Sequence, residues 1–230
     1  MPRPTTLAFA TLAALDAGLA ASSRPAAQRA RTVTKSALMP LLALDTHLAL
    51  DTHRAASGSS ALLRGVRAAQ GFSWLGDVAL LGSGDRLFLL GLGSFAAAHV
   101  GYIGAFAGSR GPGASLRQPG VLAAAALFAA TGPGMAALAH RQDRALAIPV
   151  LAYAGVISAM FATATTLDPA LPRAARRRIA AGSALFVLSD TLLGVGRFAL
   201  PAGGGPLDTA VMATYTAGQW LIADGAAASQ

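Results

Sequence analysis

The chain has 230 residues, 54% of them hydrophobic and 12% charged, and a mean hydropathy of +0.53, which excludes an ordinary water-soluble globular domain. The absence of cysteine excludes a disulfide framework, a thiolate metal site and a cysteine nucleophile. The formal net charge of +8 arises from arginines scattered through the connectors between apolar stretches. It therefore reads as membrane topology and contact with anionic lipid headgroups, not as nucleic-acid binding.

A hydrocarbon core of ~30 Å takes about 20 helical residues to cross. On that measure the sequence predicts an all-α, polytopic membrane bundle of about eight transmembrane helices, in one domain over residues 1–230. The predicted spans lie near 5–21, 33–51, 62–82, 86–107, 120–140, 145–164, 179–200 and 207–225. The first has one arginine before an apolar run, which mimics a signal peptide, but Asp16 interrupts the run and further spans follow. It is read as a retained helix.

The second span opens on Lys35, the chain's lysine, in TKSALMPLL. At headgroup depth Lys35 can pair with a phosphate or snorkel as a topology anchor. Asp45 lies within this span and, like Asp16, can line a cavity or bond a neighbouring helix. Two DTH triplets, Asp45–Thr46–His47 and Asp51–Thr52–His53, offer ligand types suited to zinc or manganese. Their spacing matches no specific metal motif, so no metal and no cofactor are expected.

The third span carries Asp77 in WLGDVALLG, and the fourth carries His99 and Tyr102 three residues apart on one helical face. Spans five and six contain uncharged windows over 120–139 and 145–164. Asp85, Asp143, Asp168 and Asp208 fall in or beside connectors, where turn and cap chemistry accounts for them. The seventh span contains Asp190 in LFVLSDTLLG, and the eighth has Tyr215 and Gln219 one turn apart, with Trp220 beside them. Spans one and eight are the least hydrophobic, so a count of seven stays open. A slight excess of arginine on the N-terminal side, chiefly Arg173 to Arg178, predicts that both termini are cytoplasmic.

PLLAL at 40–44 resembles PVLAY at 149–153, and LGDVALL at 75–81 resembles LSDTLLG at 188–194. The similarity predicts a 4+4 repeat whose copies share one membrane orientation. Asp77 and Asp190 would then occupy equivalent depths. A carboxylate near the bilayer centre costs roughly 2.5–3.5 kcal/mol on insertion scales, so such a group faces the bundle interior. Two carboxyls converging there would supply an acid and a base together.

The ordered segments KSALMPLLAL, WLGDVALL, FLLGLGSFAAAHVGYIGAF, PVLAYAGVISAM, ALFVLSDTLLGVGRF and YTAGQWLI resemble the signature segments of the YhhN family of membrane proteins over residues 34–224. One departure is Lys35–Ser36, where family proteins often have Lys-Pro. The resemblance implies lysoplasmalogenase activity, in which the vinyl ether bond of a lysophospholipid is hydrolysed to a fatty aldehyde. On that reading Asp77 and Asp190 are the acid/base pair, with His99, Tyr102, Tyr215 and Gln219 as a polar shell. Lys35 would meet the headgroup phosphate. The expected partners are a lysophospholipid and the bilayer, in a bacterial plasma membrane suggested by the arginine- and alanine-rich composition. The rival reading is a small transporter or lipid translocase that uses the intramembrane acids.

Overall fold

In the computed structural model, which describes residues 3–53, 60–200 and 205–230 and the side chains of all but 50–53 among them, the apolar stretches form helices in chain order. These are α1 (Pro4–Ala20), α2 (Pro25–His53), α3 (Ala61–Ala79), α4 (Asp85–Ala107), α5 (Pro119–Gln142), α6 (Ala147–Ala164), α7 (Arg173–Phe198) and α8 (Pro206–Ala227). A single 3₁₀ turn, Arg144–Leu146, leads into α6.

Local chemistry fixes several helix starts. Pro4, Pro119 and Pro206 sit in the first turn, where a missing N–H is harmless and the fixed φ is already helical. The Ser60 hydroxyl accepts from the Leu63 N–H to cap α3, and the Asp143 carboxylate accepts from the Ala145 N–H at 2.8 Å. Gly84 and Gly205, at φ 93° and 89°, turn the chain into α4 and α8 through a region that side chains avoid.

Two helices outrun their apolar windows. α2 begins at Pro25 because PAAQRART, though polar, is rich in helix-forming Ala, Gln and Arg. α7 begins at Arg173 for the same reason. Hydropathy locates the part of a helix that lipid solvates, and the helix itself continues into the polar zone.

The distribution of polarity is the reverse of a water-soluble protein. Ile148, Val33 and Leu90 are 80%, 70% and 58% exposed, whereas Asp16, His99 and Gln219 are completely buried. Lipid accepts the outward apolar side chains, and the buried polar groups must find partners inside. Among the described residues four helical stretches are long and apolar enough to cross a membrane by length and composition: α4, α5, the 3₁₀ turn with α6, and α7.

Small residues bring the helices together. A Cβ on Gly182 of α7 would lie 2.6 Å from the Gly218 carbonyl oxygen of α8, and one on Gly225 would lie 2.8 Å from the Ala175 carbonyl oxygen. α3 meets α4 in the same way, through Gly65 against Ala105 and Gly101 against Ala69. Gly182→Ala is expected to destabilise the detergent-solubilised protein by about 1–3 kcal/mol, because backbone must move. That exceeds the gain of roughly 0.5–1 kcal/mol that alanine brings to an unobstructed helix. A lowered midpoint of thermal unfolding would register it, and an unchanged or raised midpoint would contradict the close α7–α8 seam.

Candidate functional site

Asp77 lies near the end of α3, 1% exposed, and is held from two other helices. Lys35 Nζ of α2 is 3.5 Å from Oδ1, and the Tyr215 hydroxyl of α8 donates to Oδ2 at 2.5 Å. The acid thus has a counter-charge and a neutral donor, one for each oxygen. Gly76 makes room for this arrangement, since a Cβ there would fall 2.6 Å from the Phe95 ring, which packs edge-on against Tyr215.

Asp190 of α7 forms a second group. The Tyr153 hydroxyl of α6 donates to its Oδ2, and His99 Nε2 of α4 lies 3.6 Å from the same oxygen. His99 also approaches the Tyr153 oxygen at 3.0 Å through Nε2 and the Met160 sulfur at 3.2 Å through Nδ1. Nε2, the ring nitrogen nearest the carboxyl, thus meets both the Tyr153 oxygen and Asp190 Oδ2. Among the described residues the contacts to Asp190 all fall on Oδ2.

Two cavities meet between these groups. One is walled chiefly by apolar side chains such as Leu92, Met135, Val150 and Ile157, with Tyr153 and Asp190 in its lining. The other is lined by Arg31, Lys35, Arg197 and Asp208. Leu80, Phe88 and Leu193 line both. An apolar chamber thus continues into a cationic one, a shape suited to a molecule with a hydrocarbon tail and a phosphate.

The remaining expected site residues divide between these groups. Tyr215 joins Asp77, and His99 joins Asp190. Tyr102 donates to Gln219 Oε1 at 2.6 Å and bonds neither carboxylate. Among the described residues Asp77 and Asp190 are not bonded to each other and share no hydrogen-bonding partner. Phe186 packs against both Tyr215 and His99, at centroid distances of 5.3 and 4.7 Å, and stands between the two groups.

Asp16 and Asp45 serve helix–helix contacts. Asp45 accepts from Arg3 Nε and Nη2 and from Thr5 and Thr6, tying α1 to α2. Asp16 accepts from Thr34 at 2.6 Å and lies 3.5 Å from Arg31. With Asp45 so engaged, the first DTH triplet has no carboxylate to spare, and the side chains of the second lie outside the described residues. Among the described residues no group of three or more His, Asp or Glu side chains could hold a metal ion. Asp85 does more than shape a turn, since Arg197 of α7 donates to it at 2.6 Å.

Sequence reasoning missed Tyr153, Arg31 and Arg197. Tyr153 sits in PVLAY as the aromatic hydroxyl of an otherwise uncharged span, and its burial was the available signal. The arginines lie at span ends, where a functional cation and a topology anchor look alike in sequence.

The fold and the site together define a polytopic helical membrane protein with a two-part, amphipathic cavity that Asp190 lines and whose Lys35 reaches the buried Asp77. The chain belongs to the YhhN family, whose family model matches residues 30–226. Curated proteins similar to it include the lysoplasmalogenases of Mycobacterium bovis and Mycobacterium tuberculosis, each 33% identical over 138 residues, which are 60% of this chain and 50% of the relative. The chain spans about half the length of these relatives. No solved structure matches it.

Proposed function

We propose that the protein is a membrane hydrolase that cleaves the vinyl ether bond of a lysoplasmalogen, or of a related lysolipid, to a fatty aldehyde and a glycerophospho-headgroup. The observation that carries this reading is the junction of the two cavities. Leu80 and Leu193 line that junction, and each follows an interior aspartate, buried Asp77 or half-buried Asp190, by one helical turn. A tail in the apolar chamber and a phosphate at Lys35, Arg31 and Arg197 would leave the bond between them at this level. The name of the mycobacterial relatives points to the same chemistry.

A vinyl ether is hydrolysed when an acid protonates its β-carbon. The oxocarbenium ion that results captures water, and the hemiacetal collapses to aldehyde and alcohol. Asp190 is our assignment for the proton donor, because it lines the apolar chamber and His99 and Tyr153 can resupply its proton. Asp77, ion-paired with Lys35, is the carboxylate that stabilises the cation and takes the proton released by water.

The same reading includes eight spans arranged as a 4+4 repeat. Leu80 and Leu193, and likewise Tyr102 and Tyr215, follow the two aspartates at equal spacings. Asp77 is clasped from α2 and α8, and Asp190 from α6 and α4, which are the exchanged equivalents.

Purified protein in liposomes containing a 1-alkenyl lysophospholipid is expected to release fatty aldehyde, followed by mass spectrometry of the total lipid. Unchanged lipid mass, with lipid or ions moving across the bilayer, would instead identify a transporter.

A further inference from the structure

Beneath Asp77 the inner face of α3 continues as a polar surface. Gln70, Ser73 and Asp77 fall on one side of the helix, and the first two are 3% and 0% exposed. Tyr102 of α4 faces Ser73 and donates to Gln219 Oε1 of α8 at 2.6 Å. Gln219 lies one turn from Tyr215, which bonds Asp77 directly. The polar groups thus form a continuous ladder leading up to the acid.

This ladder contains more hydrogen-bonding capacity than the protein satisfies. Both amide atoms of Gln70, the Ser73 hydroxyl and Gln219 Nε2 are buried and make no hydrogen bond among the described residues, Ser73 lying beside the Tyr102 hydroxyl and Gln219 beside that of Tyr215. Together they present N–H donors, a carbonyl acceptor and a hydroxyl that can play either part. Buried polar atoms left over in this way are ordinarily satisfied by internal water, which needs two to four polar neighbours. Lipid outside the helices can offer them nothing.

The ladder is also closed below. Gly65 abuts Ala105 and Gly101 abuts Ala69, which sets Phe106 level with the Val66 turn of α3. Val66, Phe106 and Ile222 are all fully buried there.

We propose that Gln70, Ser73, Tyr102 and Gln219 form a water-binding site that stores the hydrolytic water for Asp77. This role rests on the hydrolase reading, and it answers a need of that reading. A lipid filling both chambers blocks their junction to bulk water, so the reagent that captures the oxocarbenium ion has to be inside before the substrate is. Water leaving the site adds its oxygen to the cationic carbon and gives its proton to Asp77.

X-ray hydroxyl-radical footprinting of the full chain in nanodiscs tests the site without reference to activity, because radicals formed from bound water mark the side chains beside it. Tyr102, though fully buried, is expected to be oxidised much faster than the equally buried Leu42 once each rate is divided by the intrinsic reactivity of the free side chain. Gln70→Leu, close in shape, is expected to lower Tyr102 oxidation several-fold and to lower kcat with KM unchanged. A wild-type Tyr102 oxidised no faster than Leu42, or labelling unaffected by Gln70→Leu, would overturn the site. A strongly labelled Tyr102 in a protein that hydrolyses no lysolipid would overturn the role as reagent together with the hydrolase.

Discussion

Asp190→Asn is expected to reduce aldehyde release from a 1-alkenyl lysophospholipid by at least about 10²-fold, the loss that accompanies removal of a positioned general acid. The substitution keeps the size of the side chain and an oxygen that can accept from Tyr153. It removes only the capacity to deliver a proton. The protein should therefore reach the membrane in normal amounts and unfold at a similar temperature. KM should change little, because the cations of the polar chamber, Arg31, Lys35 and Arg197, are untouched. Tyr153→Phe separates the roles further. It deletes the donor to Oδ2 and breaks the path from His99 while leaving the carboxyl in place. Its turnover should lie between those of the wild type and Asp190→Asn. An Asp190→Asn protein with near wild-type turnover would remove Asp190 from the chemistry and reduce the His99–Tyr153–Asp190 group to a polar helix contact.

The helices were legible because lipid imposes a simple rule. Where the hydrocarbon demands an apolar surface, as over 120–139 and 145–164, the sequence reports the span directly, and α5 and α6 lie where it places them. Helix ends were less legible, since Arg173 and its neighbours form helix in the polar zone by propensity alone. Among the site residues, depth was readable and partnership was not. Asp77 and Asp190 stood out as charges inside apolar windows, and both are indeed interior groups held by tyrosine. That Asp77 pairs with Lys35 and Asp190 with His99 depends on which helices adjoin. Adjacency in turn follows from close contacts such as Gly76 with Phe95, which no local pattern announces. The same limit explains Asp16 and Asp45. Their spacing in sequence could not distinguish a cavity wall from the Arg3 and Arg31 contacts they make.

The Lys35–Asp77 pair offers the second large effect, and its sign depends on which partner is removed. Lys35→Met leaves Asp77 enclosed without its cation and is expected to destabilise the protein by about 3–5 kcal/mol. Asp77→Leu should cost less. The Lys35 side chain is 9% exposed and borders the polar chamber, so its ammonium can turn towards water and lipid phosphate there. The double substitution, Lys35→Met with Asp77→Leu, replaces a buried ion pair by apolar groups of similar volume. Such exchanges are commonly neutral or stabilising, so the double variant should recover most of the stability lost by Lys35→Met alone. A pair whose only task is to join α2 to α3 would then be dispensable, and the double variant would keep its turnover. If Asp77 accepts the proton of the attacking water and Lys35 holds the substrate phosphate, the double variant should be as stable as the wild type and yet release no aldehyde. Unfolding midpoints and aldehyde release measured on the same four proteins decide between these outcomes, and a stable double variant with wild-type turnover would exclude Asp77 from catalysis.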